Sequence, residues 1–232
     1  ITNCNITGNS ASNNGGGIYS NESAASPVIT NCIISGNNAN NGGGICCHDS
    51  FLTITNCNIT GNTATTNGGG IYCYNSSPSI TNNIISGNTN HGIYVDSGSP
   101  IIDYNDVWGN ISGDCNRGTG THGISSDPQF IGGGNYHLTS SSPCIDAGSN
   151  SALPSTITTD LDGNLRIIGG IVDMGPYEFE GIKLLSPTQG PVGTEVTIIG
   201  NTSATQTLIS IDFGTHQTIT LTYSSINGTF SA

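Results

Sequence analysis

One nine-residue phrase recurs through the first half of this chain, and its spacing constrains the fold more than any single residue. Ile1-Thr2-Asn3-Cys4-Asn5-Ile6-Thr7-Gly8-Asn9 returns with small changes at residues 29–37, 54–62 and 80–88, and a decayed copy occupies 102–110. The leading isoleucines stand at 1, 29, 54, 80 and 102, so successive steps are 28, 25, 26 and 22 residues. A unit of about 20 to 50 residues cannot bury its apolar face alone, so repeats at that period stack and enclose one continuous core.

Within each copy a run ending in a Gly-Asn corner (Gly8-Asn9, Gly36-Asn37, Gly61-Asn62, Gly87-Asn88) is followed by a variable Ser/Asn/Thr/Ala stretch. That stretch leads to Gly15-Gly16-Gly17-Ile18-Tyr19, which recurs at 42–46 and 68–72 and in shortened form as Gly92-Ile93-Tyr94. The pattern reads as short strand, corner, loop, short strand, loop, because Gly and Asn accept the positive φ of sharp corners. No segment sustains a 3.6-residue apolar period, so helices are not expected. Coiling the units gives an all-β parallel β-solenoid with strands about 4.8 Å apart. Ile1, Ile29, Ile54, Ile80 and Ile102 then form one internal column, and Ile18, Ile45, Ile71 and Ile93 another. Cys4, Cys32, Cys57, Asn83 and Asn105 share a position, which suggests a small buried corner where an Asn ladder satisfies backbone groups.

The GGGIY and I-T-G-N phrases resemble the parallel β-helix repeats of bacterial and archaeal surface proteins. They are similar to the GGA(I/L)-type repeats of chlamydial polymorphic outer membrane proteins. Asp127-Pro128-Gln129-Phe130, Ser142-Pro143-Cys144-Ile145-Asp146-Ala147-Gly148, Asp162-Gly163-Asn164-Leu165-Arg166 and Asp173-Met174-Gly175-Pro176-Tyr177-Glu178 resemble the closing module of choice-of-anchor-type secreted β-helix proteins. This resemblance spans residues 1–180 and implies a right-handed coil. From Ile182 the texture changes. Residues 183–200 resemble the start of an IPT/TIG-type immunoglobulin-like domain, with Val196, Ile198, Ile209, Ile211, Phe213, Ile219, Leu221 and Tyr223 on alternating strands. A complete sandwich needs about 100 residues, so 181–232 is read as a partial one.

Charged residues make up 8% of the chain, and three Lys and Arg against fifteen Asp and Glu give a net charge of −12. Nucleic acid is thereby excluded as a partner, since nothing would neutralise its phosphates. No run of about 18 apolar residues is present, so no membrane span or direct insertion is expected. No signal-peptide pattern stands at either end, and Ile1 already lies inside a repeat, so the chain reads as processed or as a piece of something longer.

Of the eight cysteines, Cys47 and Cys73 fall at equivalent positions of adjacent coils, where rung spacing permits a disulfide. Cys115 and Cys144 are a second candidate pair in the closing region. Cys4, Cys32 and Cys57 cannot all pair with one another and read as buried corner side chains. No CxxC knuckle points to zinc.

Parallel β-helices often degrade polysaccharides, so catalytic sets are sought. A lyase needs a basic residue, and Arg117, Arg166 and Lys183 are the only Lys and Arg available. A hydrolase needs carboxylates about 5 to 9.5 Å apart, for which Asp96, Asp103 and Asp106 are candidates. Glu22 and Asp49 read as solvated loop acids. Tyr19, Tyr72 and Tyr94 form an aromatic column, interrupted by Cys46, that reads as packing or as a sugar platform. Asp160, Asp162 and Asn164 resemble the start of a calcium loop, although Ile171 stands where an EF-hand places its closing Glu; a tight Asx-turn is the other reading.

No catalytic residue is assigned. The expected function is that of an extracellular, secreted or cell-surface structural and adhesive protein. Its expected partners are other copies of itself, joined head to tail into a filament by strand addition, cell-surface proteins or glycans. The alternatives are a polysaccharide lyase or hydrolase and a non-catalytic glycan-binding module.

Overall fold

The computed structural model describes residues 1–21, 26–184, 198–200, 209–212, 218–223 and 230–231. The chain divides into two units, Ile1–Glu178 and Phe179–Ala232.

In the first unit each coil carries three short strands. The first face is built from Val28–Thr30, Thr53–Thr55, Ser79–Thr81 and Ile101–Asp103. The second comprises Asn5–Thr7, Ile33–Ser35, Asn58–Thr60, Ile84–Ser86 and Asp106–Trp108. The third comprises Ile18–Asn21, Ile45–His48, Ile71–Tyr74, His91–Val95 and Gly113–Cys115. On every face neighbouring strands are parallel, and each strand pairs with its equivalent one coil away. The result is a parallel β-solenoid of about four turns.

From the sequence, Ile1 to Ile6 is one run; the structure bends each copy of it. Asn3, Asn31, Asn56 and Asn82 sit at φ between 52° and 60°, and Tyr104 takes the same corner at φ 53°. Asn is the side-chain-bearing residue that tolerates this left-handed region best, so the third letter of the phrase separates the first face from the second. The stretch read as a variable loop also differs. Asn38–Asn41 and Thr63–Asn67 pair as parallel strands and turn Ala39 and Ala64 inward, which adds a short fourth side to two coils.

The core is a set of columns. Ile29, Ile54 and Ile80 stack from the first face, Ile34, Ile59, Ile85 and Val107 from the second, and Ile45, Ile71 and Ile93 from the third; each is at most 1% exposed. Each such side chain contributes about 1.5–3 kcal/mol through burial. The glycine run before the third face answers to a close backbone approach: a Cβ on Gly43 would lie 2.3 Å from the Thr63 carbonyl oxygen.

Polar ladders hold the corners. After the second face, Asn37 Nδ2 donates to Ile6 O and Asn62 Oδ1, Asn62 Nδ2 to Ile34 O and Asn88 Oδ1, and Asn88 Nδ2 to Ile59 O and Asn110 Oδ1. At the Asn-corner, Asn83 Nδ2 donates to Thr81 O and Ile54 O, while the Cys57 thiol donates to Thr55 O at 3.2 Å. Cysteine and asparagine interchange there because both place a donor against the same carbonyl.

Residues 139–178 close the unit by lying along the outside of the first and second faces. Asn31 Nδ2 donates to Thr159 O, Asn82 exchanges hydrogen bonds with the Ser149 backbone, and Gly175 rests on Asn58 and Ile84. This cover buries outward positions that would otherwise meet water, including Thr30, Thr55 and Asn58.

In the second unit, Ile182–Leu184 pairs antiparallel with Ile198–Gly200, and Thr218–Tyr223 pairs antiparallel with Ile209–Asp212 and Phe230–Ser231. The expected sandwich also invokes Val196 and Phe213, which lie outside the described residues, as does Glu22.

Candidate functional site

Aromatic rings collect on the outer surface of the third face. Strand alternation places Tyr19, Cys46, Tyr72 and Tyr94 in one outward column and Asn21, His48 and Tyr74 in the next. Tyr72 and Tyr94 lie nearly parallel with centroids 6.1 Å apart, His48 stacks on Tyr74 at 4.8 Å, and Tyr19 and His91 meet these rings edge-on. Tyr19 and Tyr74 are the most open, at 47% and 40% exposure. Burial, with the nearby Asp96 carboxylate, pushes the Tyr72 phenol up to about 12. Cys46 does break the tyrosine column and is fully buried. The sequence reading stops at that column and misses His48, Tyr74 and His91. The two-residue step from Tyr72 to Tyr74 is the signal that adds the second column.

The carboxylates considered for hydrolysis sit on three different stretches of the coil. Asp96 is exposed after the third face, Asp103 lies on the first, and Asp106 lies on the second with no exposed surface. Asp106 accepts hydrogen bonds from the Cys144 thiol at 3.2 Å and the Ser126 N–H at 3.2 Å. Asp103 accepts from the His122 ring at 2.9 Å and from the backbone N–H of His122 and Tyr104. Burial alone would raise the Asp103 carboxyl, but these hydrogen bonds hold it below its ordinary value. Of the basic residues sought for a lyase, Arg117 is exposed, Arg166 is buried against Glu178, and Lys183 belongs to the second unit.

The three candidate calcium ligands share one turn, and both of its carboxylates carry hydrogen bonds within the protein. Asp160 accepts from the N–H groups of Asp162, Asn164 and Glu178, which is the Asx-turn geometry, while Asp162 lies 2.6 Å from His137 Nε2. Among the described residues no group of three or more His, Cys, Asp and Glu is placed to hold a metal ion. All eight cysteines are free thiols. Cys47 and Cys73 are in register on adjacent rungs, but no bond joins them. Cys115 and Cys144 are not brought together: Cys115 sits beside Ile93 on the third face, whereas Cys144 points at Asp106 across the second. The closing segment approaches from outside the coil, and Cys115 lies on its inward side, which explains the separation.

A His–carboxylate–Tyr grouping recurs in the fold. His48, His122 and His137 each meet a carboxylate, from Asp49, Asp103 and Asp162, and each stacks on a tyrosine, Tyr74, Tyr104 and Tyr177. The partners are distant or irregular in sequence, so no spacing reveals them.

The family model described as right handed beta helix region matches residues 1–133. The chain belongs to the right-handed β-helix family. That fixes the hand of the coil, in keeping with the strong preference of parallel crossover connections. The chain matches no curated protein and no solved structure. Among the described residues no helix of this β-helix protein is long and apolar enough to cross a membrane.

One group gives a pH prediction. Burial, opposed in part by the Ser126 and Cys144 hydrogen bonds, pushes the Asp106 carboxyl up to about 6 from an ordinary 3.8. A carboxyl whose folded value is raised holds its proton better when folded, so its contribution is present at low pH and lost as pH climbs through about 6. Asp106→Asn removes the cost of the buried charge. The variant is expected to gain on the order of 2 kcal/mol over wild type at pH 7.5 and almost nothing at pH 4, read by urea denaturation at both.

Proposed function

We propose that this β-helix is an extracellular structural and adhesive module, a stiff coil that presents an aromatic contact face. The observation that carries the reading is the outer surface of the third face, where six rings from Tyr19, His48, Tyr72, Tyr74, Tyr94 and His91 occupy successive rungs. Internal columns and asparagine ladders hold those rungs at fixed spacing, so the rings need little ordering on contact. Tyrosine and histidine present an apolar body with a polar tip, which suits adhesion to glycans or to cell-surface proteins. Other copies of the chain are further partners within this reading.

Resemblance to polymorphic outer membrane protein repeats and to the choice-of-anchor closing module supports the surface location. The IPT/TIG-like texture after Ile182 supports an immunoglobulin-like second unit. A glycan-degrading enzyme is the second reading, favoured by the exposed Asp103–His122 pair, in which the carboxylate orients one ring nitrogen.

Retention of the labelled protein on a glycan array and on microbial and animal cells tests the proposal. Tyr74→Ser with Tyr19→Ser is expected to cut retention about tenfold, the equivalent of 1.4 kcal/mol, with circular dichroism and melting unchanged. Undiminished retention of the double variant would remove the third face from adhesion. Polysaccharide turnover abolished by Asp103→Asn would replace the proposal with the enzymatic one.

A further inference from the structure

We infer that Asn67 is a site of spontaneous deamidation in the folded protein, and that its repeat equivalents Asn14 and Asn41 are shielded from the same reaction. All three precede a glycine at the corner that enters the third face: Asn14-Gly15, Asn41-Gly42 and Asn67-Gly68. Glycine offers no side chain to hinder attack by its own backbone nitrogen, so the three phrases are chemically alike.

The reaction needs the glycine N–H released and the asparagine carboxamide free to turn. Gly68 N, after losing its proton to water, attacks Cγ of Asn67. The N–Cγ bond forms, the Cγ–Nδ2 bond breaks, and Nδ2 leaves with a proton as ammonia. Water then opens the five-membered imide at either carbonyl, leaving aspartate or isoaspartate at position 67.

Stacking decides which copy can react. Gly15 N–H donates to Asn41 O at 2.9 Å, and Gly42 N–H donates to Asn67 O at 3.0 Å. The next rung ends the series because the repeat is shortened there. Asn90, the residue facing this corner, takes left-handed φ 66°, and its carbonyl accepts the Ser112 N–H. The Gly68 N–H therefore donates to no acceptor among the described residues. The side chains follow the same order. Asn41 Nδ2 donates to Asn14 Oδ1 at 3.2 Å, tying the two shielded carboxamides together. The Asn67 carboxamide makes no hydrogen bond among the described residues and is half-exposed. Burial does not separate the sites, since Gly15, Gly42 and Gly68 are all buried. Hydrogen bonding does.

Conversion would add a carboxylate beside the third face. The isoaspartate product also inserts one backbone atom at the end of Thr63–Asn67, the strand that pairs with Asn38–Asn41. The modified protein is thus expected to loosen between its second and third coils.

The test is a time course of the folded protein at 37 °C and mildly alkaline pH, with peptide mapping for the mass gain of an amide becoming an acid and with isoaspartate detection. Two hydrogen bonds withheld from attack correspond to about a tenfold slower reaction, so the Asn67 peptide is expected to convert about tenfold faster than the Asn14 and Asn41 peptides. In urea the three are expected to convert at similar rates. Asn67→Gln should abolish the fast signal and leave the other two unchanged. Equal rates at all three sites in the folded protein would overturn the inference. So would the same bias in urea, which would assign it to local sequence rather than to the stack.

Discussion

Replacing Arg166 with methionine is expected to destabilise the β-helical unit by about 3–5 kcal/mol, as urea denaturation at neutral pH would read it. Arg166 is 1% exposed and is surrounded by Glu178, Asp173 and Asp160, themselves 3%, 1% and 1% exposed. Its guanidinium pairs with the Glu178 carboxylate and donates to the carbonyls of Gly175 and Asp173. Burial pulls the guanidinium down and pushes the Glu178 carboxyl up, so desolvation works against both charges. The pair is accordingly not a large net source of stability. Its loss on one side is nonetheless costly, because one cation faces three buried carboxylates.

Two further outcomes separate this account from simple loss of packing. Arg166→Met with Glu178→Leu should recover only part of the loss, since it removes one of the three carboxylates and leaves Asp173 and Asp160 buried without the cation. In the single variant, stability should rise as pH falls. Glu178 titrates above its unfolded value, so protonation favours the folded state, and that gain is lost as pH rises through the folded value. An Arg166→Met protein within 1 kcal/mol of wild type would show that the closing segment does not depend on this cluster.

Arg166 also marks where sequence alone stops. Read along the chain, it is a scarce base and so a candidate for lyase chemistry; folded, it is the centre of a structural cluster. The difference comes from how the closing segment turns back on itself: Asp160, Asp173 and Glu178 stand at irregular separations from Arg166 along the chain, yet converge on it in the fold. The repeat, by contrast, encodes its neighbours at fixed intervals. Ile45, Ile71 and Ile93 are a column in the sequence because the period that separates them is the circumference of one coil. The same logic yields Tyr19, Tyr72 and Tyr94. It does not yield the bend at Asn31 or Asn56, because I-T-N-C-N-I-T alternates well enough to pass for one strand until the left-handed φ is seen. Nor does it place Cys144, which lies outside the repeat and meets Asp106 instead of Cys115. Periodicity is legible wherever contacts repeat, and single contacts made by the closing segment carry no period.

Asparagines at one position of the repeat phrase should therefore differ widely in worth, and Asn62 and Asn9 provide the comparison. Asn62 has no exposed surface; its Nδ2 donates to Ile34 O at 2.9 Å and Asn88 Oδ1 at 3.0 Å. Its Oδ1 accepts from Asn37 N and Asn37 Nδ2, both at 3.0 Å. Asn62→Ala strips the buried Asn37 N–H of its acceptor and takes one hydrogen bond each from Asn37 Nδ2, Ile34 O and Asn88 Oδ1, and a cost of about 4 kcal/mol is expected. Asn9 fills the same place one end of the ladder away, is exposed, and gives only its backbone N–H and Nδ2 to Asn37 Oδ1. With water able to replace that bond, Asn9→Ala should cost less than about 1 kcal/mol. Asn62→Asp should fail like the alanine variant at neutral pH, since a carboxylate cannot donate to Ile34 O or Asn88 Oδ1 and brings an unpaired charge inside. Paired urea titrations of the three variants decide the matter. Equal losses for Asn9→Ala and Asn62→Ala would mean that the asparagines act through local turn preference alone. A loss confined to the interior position means that stability passes from coil to coil through the ladder itself.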